Sequence, residues 1–203
     1  MNVTTITAGS VGTNSYVLYN DSHECIVIDP GDGISEIIGF LSKNALDCKY
    51  VLLTHAHFDH CAGCAELQKR GSKVYMSESD LSLLSSAGNL AESFGEKFES
   101  FVPDFTVCDG EELLLLGEKF SIIATPGHTQ GSVCYKWGNV LFSGDTLFRL
   151  SIGRTDFPTG NYAEMKSTLK KLFALTGDFV LLPGHGEKST LNYERKYNPY
   201  ARI

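Results

Sequence analysis

No stretch of this sequence stays apolar long enough to cross a bilayer. The longest strongly apolar runs, such as LLLL at 113–116, fall far short of the ~20 residues a membrane helix needs. No basic stretch followed by an apolar run opens the chain, so MNVTTITAGS does not read as an export signal, and a cytoplasmic location is expected. Blocks of like charge are missing too. The 17 Lys and Arg are scattered among 24 Asp and Glu, and the net charge of -7 argues against a nucleic-acid surface. Proline is scarce, at 6 residues, whereas 42% of the chain is hydrophobic and 20% charged. Such a composition suits an ordinary globular chain whose 203 residues form one domain of two intimately fused halves. Six cysteines are present (Cys25, Cys48, Cys61, Cys64, Cys108, Cys134). Without an export signal, reduced and mostly buried thiols are expected rather than disulfides.

The elements that are present alternate between strand and helix patterns. VTTITAG, SYVLYN and ECIVIDPG read as strands, the last two joined by Asp21-Ser22-His23 as a hairpin turn. Ile34, Ile37, Ile38 and Leu41 have helical spacing over 34–43. YVLLT then reads as a buried strand, 62–70 as a helix ended by Gly71, and KVYM as another strand. Residues 78–104 are irregular and predict helices and loops laid over the fold. FTVCDG, EELLLLG and EKFSIIATPG follow as successive strands. SVCYKW and NVLFSGD form a hairpin around Gly138-Asn139. A helix over 162–175, a strand FVLLPGHG and a tail helix capped by Ser189 or Thr190 complete the chain.

The two halves echo one another. CIVIDPGD followed by YVLLTHAH matches NVLFSGDT followed by FVLLPGHG: an apolar strand ending in Asp, a helix, then a VLL strand ending near His. Two such halves packed face to face would deliver Asp and His from strand ends to one shared edge.

That edge looks built for metal. THAHFDH supplies His55, His57, Asp59 and His60 within six residues. Neutral imidazole is the commonest transition-metal ligand, and a catalytic ion keeps one position open. Four such ligands are therefore too many for one catalytic ion and too few for two. His128 in ATPGHTQGS, Asp145 in LFSGDTLF and His185 in LLPGHGEK each follow an apolar strand beside glycine, and they supply the rest. His23, in its turn, receives no role.

The series HAHFDH, PGHT, SGDTLF and PGHG resembles that of the metallo-β-lactamase-fold hydrolases, and most of all their glyoxalase II-like (hydroxyacylglutathione hydrolase) branch. The resemblance runs from IVIDPGD to the last PGHG. It implies an α/β (α+β) fold, a four-layer αββα sandwich of two mixed sheets flanked by helices. It further implies that His55, His57 and His128 hold one divalent metal ion, that Asp59, His60 and His185 hold a second, and that Asp145 bridges them. Zinc is the expected metal, although such donors also serve iron and manganese. The implied chemistry is attack by a metal-bound hydroxide on a small-molecule thioester such as S-lactoylglutathione. Asp59 is then a ligand and a candidate proton acceptor, and no membrane or nucleic-acid partner is expected. Monomer and dimer stay open.

Other residues carry two readings. Asp29 either orients a metal-bound histidine by a hydrogen bond or only shapes the turn before Pro30. Arg154 in SIGRTDFPTG either holds a substrate carboxylate or pairs with Asp156 to fix its loop. Cys61 and Cys64 form a CxxC without a matching second pair, which reads as packing. The C-terminal helical segment with which glyoxalase II enzymes bind glutathione has no counterpart after His185. A persulfide dioxygenase with a single iron is the rival within the same fold. A β-lactamase is disfavoured by the missing export signal and by Asp59-His60.

Overall fold

The computed structural model describes residues 1–202. Its first sheet contains β1 (Asn2–Ala8), β2 (Thr13–Tyr19), β3 (Glu24–Ile28), β4 (Asp47–Leu52), β5 (Lys73–Ser77) and β6 (Phe105–Val107), in that spatial order. β1, β2 and β3 pair antiparallel, and β3 through β6 pair parallel. The second sheet begins with the antiparallel run β7 (Glu112–Leu115), β8 (Glu118–Ala124), β9 (Val133–Trp137) and β10 (Val140–Gly144). A small hairpin of β11 (Leu147–Phe148) and β12 (Ser151–Ile152) follows. Beyond it, β13 (Val180–Pro183) pairs parallel to β10, and β14 (Ser189–Thr190) closes the edge. The helices are α1 (Ile34–Lys43), α2 (Phe58–Cys61), α3 (Cys64–Lys69), α4 (Tyr162–Phe173) and α5 (Leu191–Tyr197).

Side-chain alternation makes the layers. In β3, Ile26 and Ile28 face the second sheet and meet Phe120, Tyr135 and Phe142, while Cys25 and Val27 face outward to Ile37 and Leu41 of α1. In β10, Phe142 points inward and Leu141 outward, onto Met165, Leu169 and Leu172 of α4. Strands covered on both faces need apolar side chains at nearly every position, which is why IVI, VLL and VLF read as continuous runs. Stacked in order, these layers are the αββα sandwich. The echo corresponds to two parallel strand–helix–strand units, β3–α1–β4 and β10–α4–β13, with Val27 opposite Val51 and Leu141 opposite Leu181.

Several boundaries differ from the sequence reading. The helix expected over 62–70 is α3, Cys64–Lys69, and a further short helix, α2, precedes it inside the histidine motif, from Phe58. Gly63 separates them: its N–H donates to the Pro30 carbonyl at 2.7 Å, and a Cβ there would lie 2.8 Å from that oxygen. FTVCDG holds the expected strand, and the structure adds its place: as β6 it extends the first sheet, parallel to β5, while EELLLLG lies in the second. Residues 78–94 hold three short 3₁₀ turns. The tail helix is capped by Thr190, whose hydroxyl accepts from the Tyr193 N–H at 3.2 Å. Among the described residues, no helix is long and apolar enough to cross a membrane.

Candidate metal centre

Each candidate ligand sits just beyond a strand, where the chain leaves the sheet. The residues after β4 supply His55 and His57, and α2 then turns Asp59 and His60 back toward the same point. His128 follows β8, Asp145 follows β10 and His185 follows β13, so both halves contribute. His55, His57, Asp59, His60 and His128 are buried.

Hydrogen bonds orient the imidazoles. Asp29 stands beyond the end of β3 with φ +52°, a left-handed conformation that aims its carboxylate across to the neighbouring strand end. Its Oδ1 accepts from the Thr54 N–H at 2.7 Å, and its Oδ2 accepts from the Thr54 hydroxyl at 2.6 Å and from His60 Nδ1 at 2.9 Å. Because the Thr54 proton is committed to Asp29, His55 Nδ1 donates to Thr54 Oγ1 at 3.1 Å. His128 Nδ1 donates to the Arg154 carbonyl at 2.8 Å. These three rings therefore turn their Nε2 atoms inward. His57 enters by its other nitrogen, with Nδ1 2.9 Å from His128 Nε2.

The donor atoms fall into three overlapping groups, each within 4.8 Å: His55, His57 and His128; His55, His60 and Asp145; and Asp59, His60 and His185. Asp145 lies between the outer two. Its Oδ1 is 3.3 Å from His60 Nε2, and its Oδ2 is 3.6 Å from His128 Nε2 and 3.5 Å from His185 Nε2. Asp59 Oδ2 is 3.1 Å from His185 Nε2 and also accepts from the Thr13 hydroxyl at 2.8 Å.

The donor set fits metal ions on two independent grounds. His55 Nε2 and Asp145 Oδ1 are buried without a hydrogen-bond partner, an arrangement that costs free energy unless a cation meets them. The electrostatics agree. Burial pushes the His55 imidazole well below its usual range, and burial with His128 nearby brings His57 to about 3, so both offer lone pairs. Burial would lower His60 as well, but the carboxylates of Asp59, Asp145 and Asp29 outweigh it and hold its proton on. Burial opposes ionisation of Asp59 and Asp145 too, yet the neighbouring histidines keep both carboxylates below their ordinary values. So much buried negative charge needs a positive counterpart at the same point. Gly184 makes room for two of these side chains: a Cβ there would stand 2.2 Å from Asp145 Oδ1 and 2.6 Å from His60 Cε1.

The remaining sequence candidates divide. Asp29 takes up the orienting contact to His60. The Arg154 guanidinium forms a two-pronged pair with Asp156, 2.7 Å on each prong, and its contact with His128 comes from the main chain. Cys61 and Cys64 are buried free thiols, and burial pushes both pKa values up; Cys61 Sγ packs 3.5 Å from the Ala56 carbonyl. His23 lies on its turn, 3.2 Å from the Asn44 carbonyl.

Three contributors went unnoticed in the sequence. Thr13 fixes Asp59. Asp80, fully buried, accepts from the Ala56 N–H at 3.1 Å, the Thr129 hydroxyl at 2.8 Å and the Gly131 N–H at 2.7 Å. Asn89 donates to the Ala56 carbonyl at 2.7 Å. The peptides on either side of Ala56, between His55 and His57, are thus gripped by the irregular segment. None of the three stands in a pattern that would have marked it.

A cavity of about 410 Å³ opens above the centre, lined by His57, Asp59, His128, Asp145 and His185, with Arg154 and several apolar side chains around them. The fold and this donor set define an αββα protein with a histidine–aspartate cluster able to bind metal. The chain belongs to the metallo-beta-lactamase superfamily, whose family model matches residues 8–185. It is 34% identical over 207 residues to the hydroxyacylglutathione hydrolase GloC of Haemophilus influenzae, covering 98% of each chain. Its fold is similar to the crystal structure of the B3 metallo-β-lactamase BLEG-1, with TM-score 0.92, 33% identity and full coverage of both chains. It is also similar to TTHA1623 in a di-iron-bound form, with TM-score 0.88, 33% identity, and coverage of 98% of this chain and 100% of that one.

Proposed function

We propose that this protein is a metal-dependent hydrolase that cleaves thioesters of the hydroxyacylglutathione type at a centre of two divalent ions. One observation carries the reading: seven donors from both halves meet as two three-residue groups with Asp145 between them. His55, His57 and His128 would hold one ion, Asp59, His60 and His185 the other, and Asp145 would touch both. Such ions, when bound, supply a water ionised near neutral pH and a positive field for the scissile carbonyl oxygen.

The chain's own residues do the rest. Asp29, Thr54 and the Arg154 carbonyl fix the ring orientations, which keeps the donor atoms convergent. Asp59 lines the cavity as an ionised carboxylate steadied by Thr13, placed to take a proton during hydrolysis. A thioester suits a site like this because a thiolate leaves readily with little acid assistance. The hydroxyacylglutathione hydrolase relative supports this substrate class. We assign zinc as the metal, with iron as the rival that the di-iron form of TTHA1623 favours. Six free thiols and a net charge of -7 fit a reducing compartment and a small-molecule substrate.

Measuring metal content beside three activities tests the reading: hydrolysis of S-lactoylglutathione, oxygen uptake with a glutathione persulfide, and β-lactam hydrolysis. Two metal ions per chain with thioester cleavage are expected. One iron with persulfide-dependent oxygen uptake would overturn the hydrolase in favour of a dioxygenase. Dominant β-lactam cleavage would instead transfer the chain to the activity for which BLEG-1 is named.

A further inference from the structure

The cavity above the metal centre has the candidate ligands at its floor and mostly apolar walls. Val11, Phe58, Leu90, Phe94, Phe148, Ile152 and Phe157 make those walls, with Ser151 and Arg154 among them. Phe157 starts that wall immediately beside the reacting position, its ring centroid 5.7 Å from that of His57 and 6.5 Å from that of His128. At the mouth, Phe94 remains 48% exposed and Val11 39%. Phe94 is held there against Phe58, with centroids 5.3 Å apart. Scattered exposed apolar residues need no explanation, but a ring of them around one reactive cavity marks a surface that binds apolar matter.

Positive charge is missing where an anionic substrate would need it. Among the described residues lining the cavity, Arg154 is the one lysine or arginine. Its Nε and Nη2 both donate to Asp156, and its guanidinium lies 3.8 Å over the Phe157 ring. Asp156 already holds the Nε–Nη2 edge, one of the two edges on which a substrate carboxylate would dock. Arg149 and Lys188 line a separate groove with Tyr193, and Arg149 is paired there with Glu187.

We infer that the preferred substrate is a thioester whose acyl group is bulky, uncharged and apolar, aromatic or branched, and that the two carboxylates of a glutathione arm find no partner in this cavity. The inference rests on the thioester-cleaving centre proposed above and replaces its glutathione-type substrate with an apolar one. Asp156 competes with anionic arms for Arg154, and the apolar walls select for hydrophobic bulk.

Kinetics of the zinc-loaded enzyme with N-acetylcysteamine thioesters test this, because their thiol is small and neutral. Each methylene buried is worth about fourfold in binding, so the phenylacetyl thioester should exceed the acetyl one at least tenfold in kcat/KM, and should also exceed S-lactoylglutathione. Phe94→Ser and Val11→Ser alter exposed positions, which spares the fold, and each should shrink the phenylacetyl-to-acetyl ratio at least threefold. Asp156→Asn should free Arg154 and raise kcat/KM for S-lactoylglutathione about fivefold. A flat acyl series, or S-lactoylglutathione as the best substrate, overturns the inference while leaving the thioesterase reading intact. If no thioester is cleaved, that reading fails, and calorimetry then decides the inference alone. Tenfold tighter binding of N-acetyl-S-benzylcysteamine than of S-methylglutathione sustains the apolar cavity; equal or weaker binding ends it.

Discussion

His60 shows how much a single carboxylate outside the donor set can control. Its Nδ1–H is held by Asp29 Oδ2 at 2.9 Å, and the same carboxylate fixes Thr54, whose hydroxyl in turn orients His55. One group thereby sets a ring in each of the two outer donor groups. Asp29→Ala should weaken metal binding about 10- to 100-fold, the usual cost of losing such a partner, as read by competition with a chromophoric chelator. Unchanged affinity would reduce Asp29 to a turn residue. Asp145→Ala acts more directly, because it removes the carboxylate between the groups. Metal content and hydrolysis should fall together, and activity retained at full metal content would contradict the bridging role.

The elements explain why such side chains converge and how much of that could be read in advance. The paired strand–helix–strand units were legible because burial on both strand faces writes itself as apolar runs, and the candidate ligands because histidine and aspartate carry their chemistry in their identity. Asp80 and Asn89 were not legible. They act on Ala56 from 24 and 33 residues away, out of an irregular segment with no period to place them. The break at Gly63 was hidden for the same reason, since the Pro30 carbonyl that causes it belongs to another element. Arg154 drew attention for its guanidinium, but it is its main-chain carbonyl that meets His128. Asp80→Ala would strand three buried donors, each costing about 1–3 kcal/mol unless water reaches it. A loss of about 3 kcal/mol in urea unfolding is expected, together with weaker metal binding, because the Ala56 and Gly131 loops carry His55, His57 and His128. Wild-type stability in this variant would show that the 78–89 segment does not brace the centre. Gly184→Ala separates geometry from stability: the strand survives, but a methyl contests the place of Asp145 and His60. It should cut metal affinity at least tenfold in the chelator competition while the far-ultraviolet dichroism stays unchanged.

Across the whole molecule, the centre is a seam between two halves, and polar contacts cross that seam beside it. The Asn14 N–H donates to the Gly184 carbonyl at 2.7 Å, the Tyr16 hydroxyl to Pro183 at 2.6 Å and the Val133 N–H to Thr54 at 2.8 Å. Each of these lies within two residues of a candidate ligand or beside the strand that presents one. The donors themselves span residues 55 to 185, so an unfolded chain cannot gather them. Metal that binds only the folded state stabilises it by RT ln(1 + [L]/Kd), about 4 kcal/mol at a thousandfold excess over Kd. For a chain of this size each kcal/mol moves Tm by about 2–4 °C, so chelation should lower Tm by roughly 8–16 °C. Scanning calorimetry with a chelator, followed by zinc added back in excess, checks both directions. Recovery of Tm with added zinc would tie the loss to the centre. A Tm that ignores chelation would mean that packing between the sheets, through Ile26, Tyr135 and Phe142, holds the halves together without help from the metal.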